Sequence, residues 1–451
     1  MKNFKTIIIV ICLLHNLNAI ALNYSSQSRI SNEIKVASRK ADIGIKIKNL
    51  KTGKIIYQQN EDRYYNFGSS LKMISIFSLL RYFGSNYLFA GRLFEKNNSY
   101  YLDINDPDFS NKDLEILIAK LKELSSSNVD NFYIVNSKFT TPDQVEGRMI
   151  EDGSYCYGSP VTKIHINKNC IRLKARPSTE LKKPIYLKAK EVVPYKIINK
   201  TYTIPAEDWP KIKMSIEENK LIISGTLNKQ SEEITIGAVV NDSQAHLENM
   251  VKEVLSKYNI ILKGQVLPSS LPEDANLILS IGKTFNQLGS KALKMSDNFI
   301  SDYMLAEFGS RYAAKDWRNC GNLLKQLVFT EFNVDLSKAT IADASGLSRY
   351  NMLTVNQFDE FLFAIYNSQD FIKLLPMLAQ ADEESSLKER FKGIRIFAKT
   401  GGMTGISSIV GYVFDKNNII YSFVIVSNNY FGNKKEIKEL QEAIINYIVS
   451  D

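Results

Sequence analysis

One junction constrains this chain more than any other stretch: Phe67-Gly68-Ser69-Ser70-Leu71-Lys72, running straight into Met73-Ile74-Ser75-Ile76-Phe77. A polar, strand-like segment from Ile55 to Asn66 breaks at Gly68, and a helical pattern begins at once. Ser69 therefore falls at a helix N-terminus, with Lys72 one turn along the same face. A serine hydroxyl is a weak nucleophile until a neighbour takes its proton, and a lysine held away from water can be neutral enough to do so. The helix start adds backbone N–H groups and partial positive charge where an oxyanion would form. The same spacing recurs at Ser280 to Lys283 and, with identical letters, at Ser385-Ser386-Leu387-Lys388, where a capped surface helix is the simpler expectation. Only its company along the chain distinguishes the first copy.

A length of 451 residues allows two or three domains with ample core. Lys2 and Lys5 precede the apolar run Thr6 to Leu14, and Ala19-Ile20-Ala21 supplies a small-residue cleavage pattern. The run is too short to span a bilayer, so residues 1–21 read as a secretory signal peptide and the mature chain as exported to the periplasm. No later stretch predicts a membrane span. The formal charge of +9 loses two lysines with the leader and becomes +7, without a basic cluster that would take nucleic acid. Cys156 and Cys170 are spaced to pair in an oxidising compartment, which would leave Cys320 free. No spacing resembles a metal site, and no cofactor is expected. After leader removal the histidines are His165 and His246, neither beside a carboxylate or cysteine. A Ser-His-Asp site is poorly supplied, and lysine is the natural base.

Residues 42–58 alternate as a hairpin around Asn49 to Lys54, whose Lys51-Thr52-Gly53 is a turn. From about 93 to 276 the texture is that of an inserted α+β region: amphipathic helices at Asp113 to Leu124 and Gln244 to Tyr258, short alternating strands between them, and an exit linker near Pro268 to Pro272. Helical texture returns at Phe285 to Ala313 and Asp316 to Phe332. A helix over Val355 to Asn367 and strands at Arg395 to Thr400, Ser407 to Phe414 and Ile419 to Ser427 follow. The terminal helix, Glu436 to Ile448, carries the stripe Ile437, Leu440, Ile444 and Ile448, expected to pack on the sheet rather than on lipid. The organisation predicted is a leader (1–21), a first core segment (22–92), an inserted region of one or two small domains (93–276) and a second core segment (277–451).

Ser296-Asp297-Asn298 lies at or in a helix, and Lys399-Thr400-Gly401-Gly402 joins two apolar strands, its glycines permitting close backbone approach to a ligand. Each motif alone is common. In this order, S-x-x-K, then S-x-N, then K-T-G, they form the set of penicillin-binding proteins and serine β-lactamases. The wider sequence is more specific. Asn105-Asp106-Pro107-Asp108-Phe109, Asp152 to Pro160, Asp343-Ala344-Ser345-Gly346-Leu347-Ser348-Arg349 and Lys399 to Tyr412 resemble segments of the class C low-molecular-mass penicillin-binding proteins, the D-alanyl-D-alanine carboxypeptidase/endopeptidase family. The long gap from Ser69 to Ser296 fits that family's inserted domains.

The resemblance implies an α/β (α+β) fold, with a β-lactamase/transpeptidase-like antiparallel sheet flanked by helices and interrupted by the insertion. It implies an acyl-enzyme on Ser69 with Lys72 as base, Ser296 relaying a proton, and Asn298 orienting the substrate amide. Lys399 and Thr400 would face the substrate carboxylate, and the N–H groups of Ser69 and Gly402 would form the oxyanion hole. Gly402 stands where a hydroxyl residue is often found. Arg349 would meet a stem-peptide carboxylate, and Asp152 a diaminopimelate ammonium. The implied partners are peptidoglycan stem peptides and β-lactams as covalent inhibitors, with a homo-oligomer left open. The rival readings are a serine β-lactamase, which the insertion disfavours, and a catalytically silent structural module, which the intact motifs disfavour.

Overall fold

The computed structural model describes residues 27–124, 127–189, 191–430 and 432–450; the leader assigned to residues 1–21 lies outside them. The chain divides into two compact units. The first holds the described residues up to Tyr82, then Gly289–Asp297 and Gly321 onward; the second holds Phe83–Leu288 and Asn298–Cys320. The expected inner boundaries at 92/93 and 276/277 fall instead within or beside paired strands. Leu88–Lys96 and Asn276–Thr284 run antiparallel with Gly91 opposite Ile281, so both belong to the second unit.

The first unit is built on a six-stranded antiparallel sheet in the spatial order Ala379–Gln380, Ile396–Met403, Ile406–Phe414, Ile420–Asn428, Asp42–Asn49, Ile55–Gln59. The hairpin read from the sequence forms its far edge. One face buries Ile43, Ile45 and Ile47 against Ile30 and Ile34 of a helical segment at 27–37 and against Leu440, Ile444 and Ile448 of the terminal helix, Lys434–Ser450. The terminal stripe is thus a core stripe, as its period predicts. The opposite face is covered by the helix Val355–Tyr366. Asp359 on that helix is fully buried and takes charge from Lys46 and Lys48, while Tyr412 donates to the Leu362 carbonyl at 2.8 Å. Thr354 starts the helix with a capping box completed by Gln357.

The helical texture over 285–313 is broken. Phe285–Lys294 ends before Ser296, which has a left-handed backbone (φ 60°), and a new helix spans Asn298–Arg311. Of the two placements that the sequence left open for Ser296-Asp297-Asn298, at a helix start or within a helix, the structure shows the first, in keeping with the cap-forming character of these residues. In the second unit, a five-stranded sheet is ordered Val266–Ser269, Phe132–Val135, Ser99–Ile104, Leu88–Lys96, Asn276–Thr284. Helices Asn111–Glu123 and Ser243–Lys257 cover it with Leu114, Ile118, Leu247 and Val251. The expected linker near 268 is partly the edge strand of this sheet. A separate core within the unit lies between two three-stranded sheets and includes Leu173, Leu221, Ile223 and Ala238. The strand expected over Val192 to Ile198 begins later, at Lys196, and runs to Ile204. Cys156 and Cys170 are joined in a disulfide and Cys320 is a buried free thiol.

Candidate active site

Ser69 and the segments described below as holding it belong to the first unit. Gly68–Leu71 forms a single tight turn that passes into the helix Lys72–Phe83. Gly68 has φ 51°, a conformation that only glycine adopts freely, and a Cβ there would stand 3.1 Å from the Gly402 amide nitrogen. The turn is held from several sides. Asn66 accepts from the Gly68 N–H at 2.8 Å and donates to the Ser348 carbonyl at 3.1 Å, and Phe67 packs on Phe358 with ring centroids 4.9 Å apart. Ser70 Oγ lies 3.0 Å from the Lys399 carbonyl and 2.7 Å from Ser408 Oγ, which reaches the Phe67 carbonyl at 2.6 Å.

Lys72 is fully buried. Its Nζ is 2.9 Å from Ser69 Oγ and donates to the Ser345 carbonyl at 2.6 Å. That carbonyl is fixed by Asp343, a fully buried carboxylate. Its oxygens accept from the Gly346 and Ser348 N–H groups and from Asn351 Nδ2, each at 2.8 Å, and from Ser345 Oγ at 3.0 Å. Ser75, one turn beyond Lys72, donates to the neighbouring Ala344 carbonyl at 2.8 Å.

Lys399 completes the cluster. Its Nζ donates to Ser296 Oγ at 2.9 Å and to the Thr400 carbonyl at 2.8 Å, and the left-handed backbone of Ser296 presents that hydroxyl. Burial first, and then the like charge of Lys72, push the Lys399 ammonium well below the ordinary lysine range. Ser69, Ser296, Thr400, Gly401 and Gly402 line one cavity of about 220 Å³.

The structure therefore brings together Ser69, Lys72, Ser296, Lys399, Thr400, Gly401 and Gly402. Arg349, half-exposed, donates to the Thr404 carbonyl at 3.0 Å, in the turn that follows the K-T-G strand. Asn298 and Asp152 lie in the second unit, the chain passing from one unit to the other between Asp297 and Asn298. The Asn298 amide donates to the Tyr157 carbonyl at 2.9 Å, and Asp152 accepts from the Tyr157 hydroxyl at 3.0 Å. The decoy motifs have bland roles. Lys388 pairs with Glu384, Lys283 pairs with Asp106 and Asp113, and Lys51-Thr52-Gly53 is an exposed hairpin turn. His165 and His246 are both buried in the second unit. Sequence reasoning gave no role to Ser70, Ser408, Asp343 or the Ser345 carbonyl. All four lie in segments singled out above, Phe67 to Lys72, Asp343 to Arg349 and Lys399 to Tyr412, but nothing local in those segments marks them out.

The model of the D-Ala-D-Ala carboxypeptidase 3 (S13) family matches residues 27–448. The chain is 21% identical to the D-alanyl-D-alanine carboxypeptidase DacB of Haemophilus influenzae, covering 90% of this chain and 89% of that protein. It is 21% identical to a D-alanyl-D-alanine carboxypeptidase of Actinomadura, covering 86% and 78%. The crystal structure of penicillin binding protein 4 from Haemophilus influenzae superposes with a TM-score of 0.80 at 19% identity, over 93% of this chain and 99% of that one. A peptidoglycan endopeptidase of Bdellovibrio bacteriovorus shares the fold more loosely, with a TM-score of 0.53 at 12% identity over 91% and 93%. A single family model covering almost every described residue, on a fold of this type, decides the matter: the chain belongs to the D-Ala-D-Ala carboxypeptidase 3 (S13) family of serine carboxypeptidases, the class C penicillin-binding proteins.

Proposed function

We propose that this protein is an exported DD-peptidase that trims D-Ala-D-Ala ends and opens D-Ala–diaminopimelate cross-links of peptidoglycan, through an acyl-enzyme on Ser69. The observation that carries the reading is the pair of short contacts Lys72 Nζ–Ser69 Oγ and Lys399 Nζ–Ser296 Oγ, both 2.9 Å, beside one cavity. Neutral Lys72 takes the Ser69 proton as Oγ attacks the carbonyl carbon of the penultimate D-alanine. The N–H groups of Ser69 and Gly402 receive the oxyanion, one such donor being worth about 3 kcal/mol. As the C–N bond breaks, Ser296 passes a proton to the leaving amine and is resupplied from the lysine pair. Water then attacks the ester, with Lys72 again as base. Asn298 would orient the substrate amide, Arg349 would meet a stem-peptide carboxylate, and Asp152 would meet a diaminopimelate ammonium.

The relatives support the substrate class: they are D-alanyl-D-alanine carboxypeptidases, and the Haemophilus protein has been crystallised with a β-lactam. The endopeptidase half rests on the Bdellovibrio enzyme of the same fold. A periplasmic location is supported by the leader pattern and by the Cys156–Cys170 disulfide. The test is covalent labelling of the mature protein by a fluorescent penicillin, beside Ser69→Ala and Ser385→Ala. A stable adduct lost only in Ser69→Ala is expected, followed by release of D-alanine from a D-Ala-D-Ala peptide. Rapid turnover of nitrocefin without a lasting adduct would favour a β-lactamase instead. A protein that forms no adduct and turns over no β-lactam would be a silent module.

A further inference from the structure

The cavity lined by Ser69 and Gly402 is also lined by Arg390, Lys434 and Lys438, which the chemistry above does not use, and no aspartate or glutamate lines it. Arg390 is held by Glu442 at 2.6 Å and by the Gln441 side chain at 3.1 Å. Among the described residues no carboxylate lies within ion-pair distance of Lys434 or Lys438, whereas Lys435, on another face of the same helix, has Glu439. Lys434 and Lys438 are one helical turn apart, a like-charge spacing that destabilises a helix. Lys434 also stands in the first turn of its helix, where a cation opposes the helix dipole. Burial and the charges of Arg390 and Lys434 lower the pKa of Lys438. Lys434 and Lys438 thus put positive charge without an ion-pair partner into the lining of this cavity.

Gly402 explains how that charge reaches the substrate. A Cβ on Gly402 would lie 2.9 Å from Lys434 Nζ and 3.4 Å from its Cε. The lysine ammonium therefore occupies the space that a side chain at position 402 would fill, directly beside the K-T-G backbone.

We infer that Lys434, backed by Lys438, is the receptor for the free carboxylate of the residue that leaves, taking over in this chain from a hydroxyl at position 402. The inference rests on the DD-peptidase reading of the same site. It makes carboxylate recognition a matter of charge supplied by the terminal helix, and gives the absence of a side chain at Gly402 a purpose.

The experiment compares kcat/KM for a D-Ala-D-Ala peptide with that for its C-terminal carboxamide, in the full mature chain. Lys434→Met is expected to lower the carboxylate-to-carboxamide ratio about 30-fold, the scale of losing one charged partner. Lys434→Arg should keep the ratio within about threefold, and Gly402→Ser added to Lys434→Met should recover about tenfold by restoring a hydroxyl donor. Raised salt should depress the wild-type ratio and leave that of Lys434→Met flat. An unchanged ratio in Lys434→Met, or a rescue by Gly402→Ser in the absence of any Lys434 effect, overturns the inference while the DD-peptidase reading stands. A wild-type enzyme that Ser69-directed penicillin fails to label, and that cleaves neither peptide, overturns both.

Discussion

The buried hydroxyls of Ser70 and Ser408 allow the tether of the nucleophile turn to be counted proton by proton. Three contacts link the turn to the sheet: Ser70 Oγ to the Lys399 carbonyl at 3.0 Å, Ser408 Oγ to the Phe67 carbonyl at 2.6 Å, and hydroxyl to hydroxyl at 2.7 Å. Each hydroxyl has one proton, so at most two of the three can be good hydrogen bonds at once. Ser408→Ala leaves Ser70 donating to Lys399, and Ser70→Ala leaves Ser408 donating to Phe67. Each single change therefore removes one bond, about 1 kcal/mol net, and the double change removes both, about 2 kcal/mol. The two losses should sum to within about 0.5 kcal/mol. The assay is the fraction of enzyme still labelled by fluorescent penicillin at each urea concentration. That fraction reports the unit carrying Ser69 without assuming that the two units unfold together. Single losses of about 2 kcal/mol each with a double loss of only about 3 kcal/mol, a coupling near 1 kcal/mol, would show that all three contacts act as bonds and would refute the count.

Gly346→Ala should abolish labelling, because at φ 76° the new Cβ would run into the Gly68 carbonyl oxygen behind the nucleophile; the labelled fraction on a gel checks this. Reducing Cys156–Cys170, which are separated by 14 residues, should destabilise the second unit by about 3 kcal/mol, read as an earlier denaturant midpoint. The lone Cys320 thiol, pushed up to about 12 by burial, should ignore Ellman's reagent until the protein unfolds. For His165, burial pushes the imidazole down to about 4, against the carbonyls of Lys163, Asp106 and Thr162 that face its ring nitrogens. The unfolded chain, titrating near 6.5, then binds more protons in between. The histidine's contribution is complete above about pH 6.5 and fades by about 3 kcal/mol as pH falls towards 4. An NMR titration placing His165 above 6.5 would show that the carbonyls win and would reverse that slope.

The sequence was most legible where a local rule had one solution. The hairpin at Asp42–Gln59, the terminal core stripe and the three sheet strands after Arg395 follow from periods of 2 and 3.6, and the structure places them as read. The clustering of Ser69, Lys72, Ser296 and Lys399 was legible from the order of three motifs along the chain, since each motif alone has look-alikes such as Ser385 to Lys388. A helix start at Ser296-Asp297-Asn298 was one of two placements the sequence allowed, but the left-handed backbone of Ser296 was not legible, since it accompanies a contact with Lys399, a residue distant in sequence that leaves no periodic trace. The unit boundaries were hidden for a related reason. Leu88–Lys96 and Asn276–Thr284 look like the ends of separate segments until their pairing is known.

The same reasoning explains why the site's strongest constraint is carried by glycines. Gly68, Gly346 and Gly401 are ordinary turn or strand residues when taken singly. In space a Cβ on Gly346 would meet the nucleophile turn, one on Gly401 would meet the Phe67 carbonyl, and one on Gly68 would approach the Gly402 amide. Three segments distant in sequence thus approach closely enough for their backbones to touch. Side chains there would hold the segments apart, and a displacement of about 1 Å between nucleophile and oxyanion donors can cost on the order of 10²-fold in rate. Lys72 and Lys399 can share one buried site because the backbones approach this closely: Ser345 brings a carbonyl to the first, and Thr400 to the second. The placement of Ser69 therefore depends on close backbone packing as much as on the residues of its motifs.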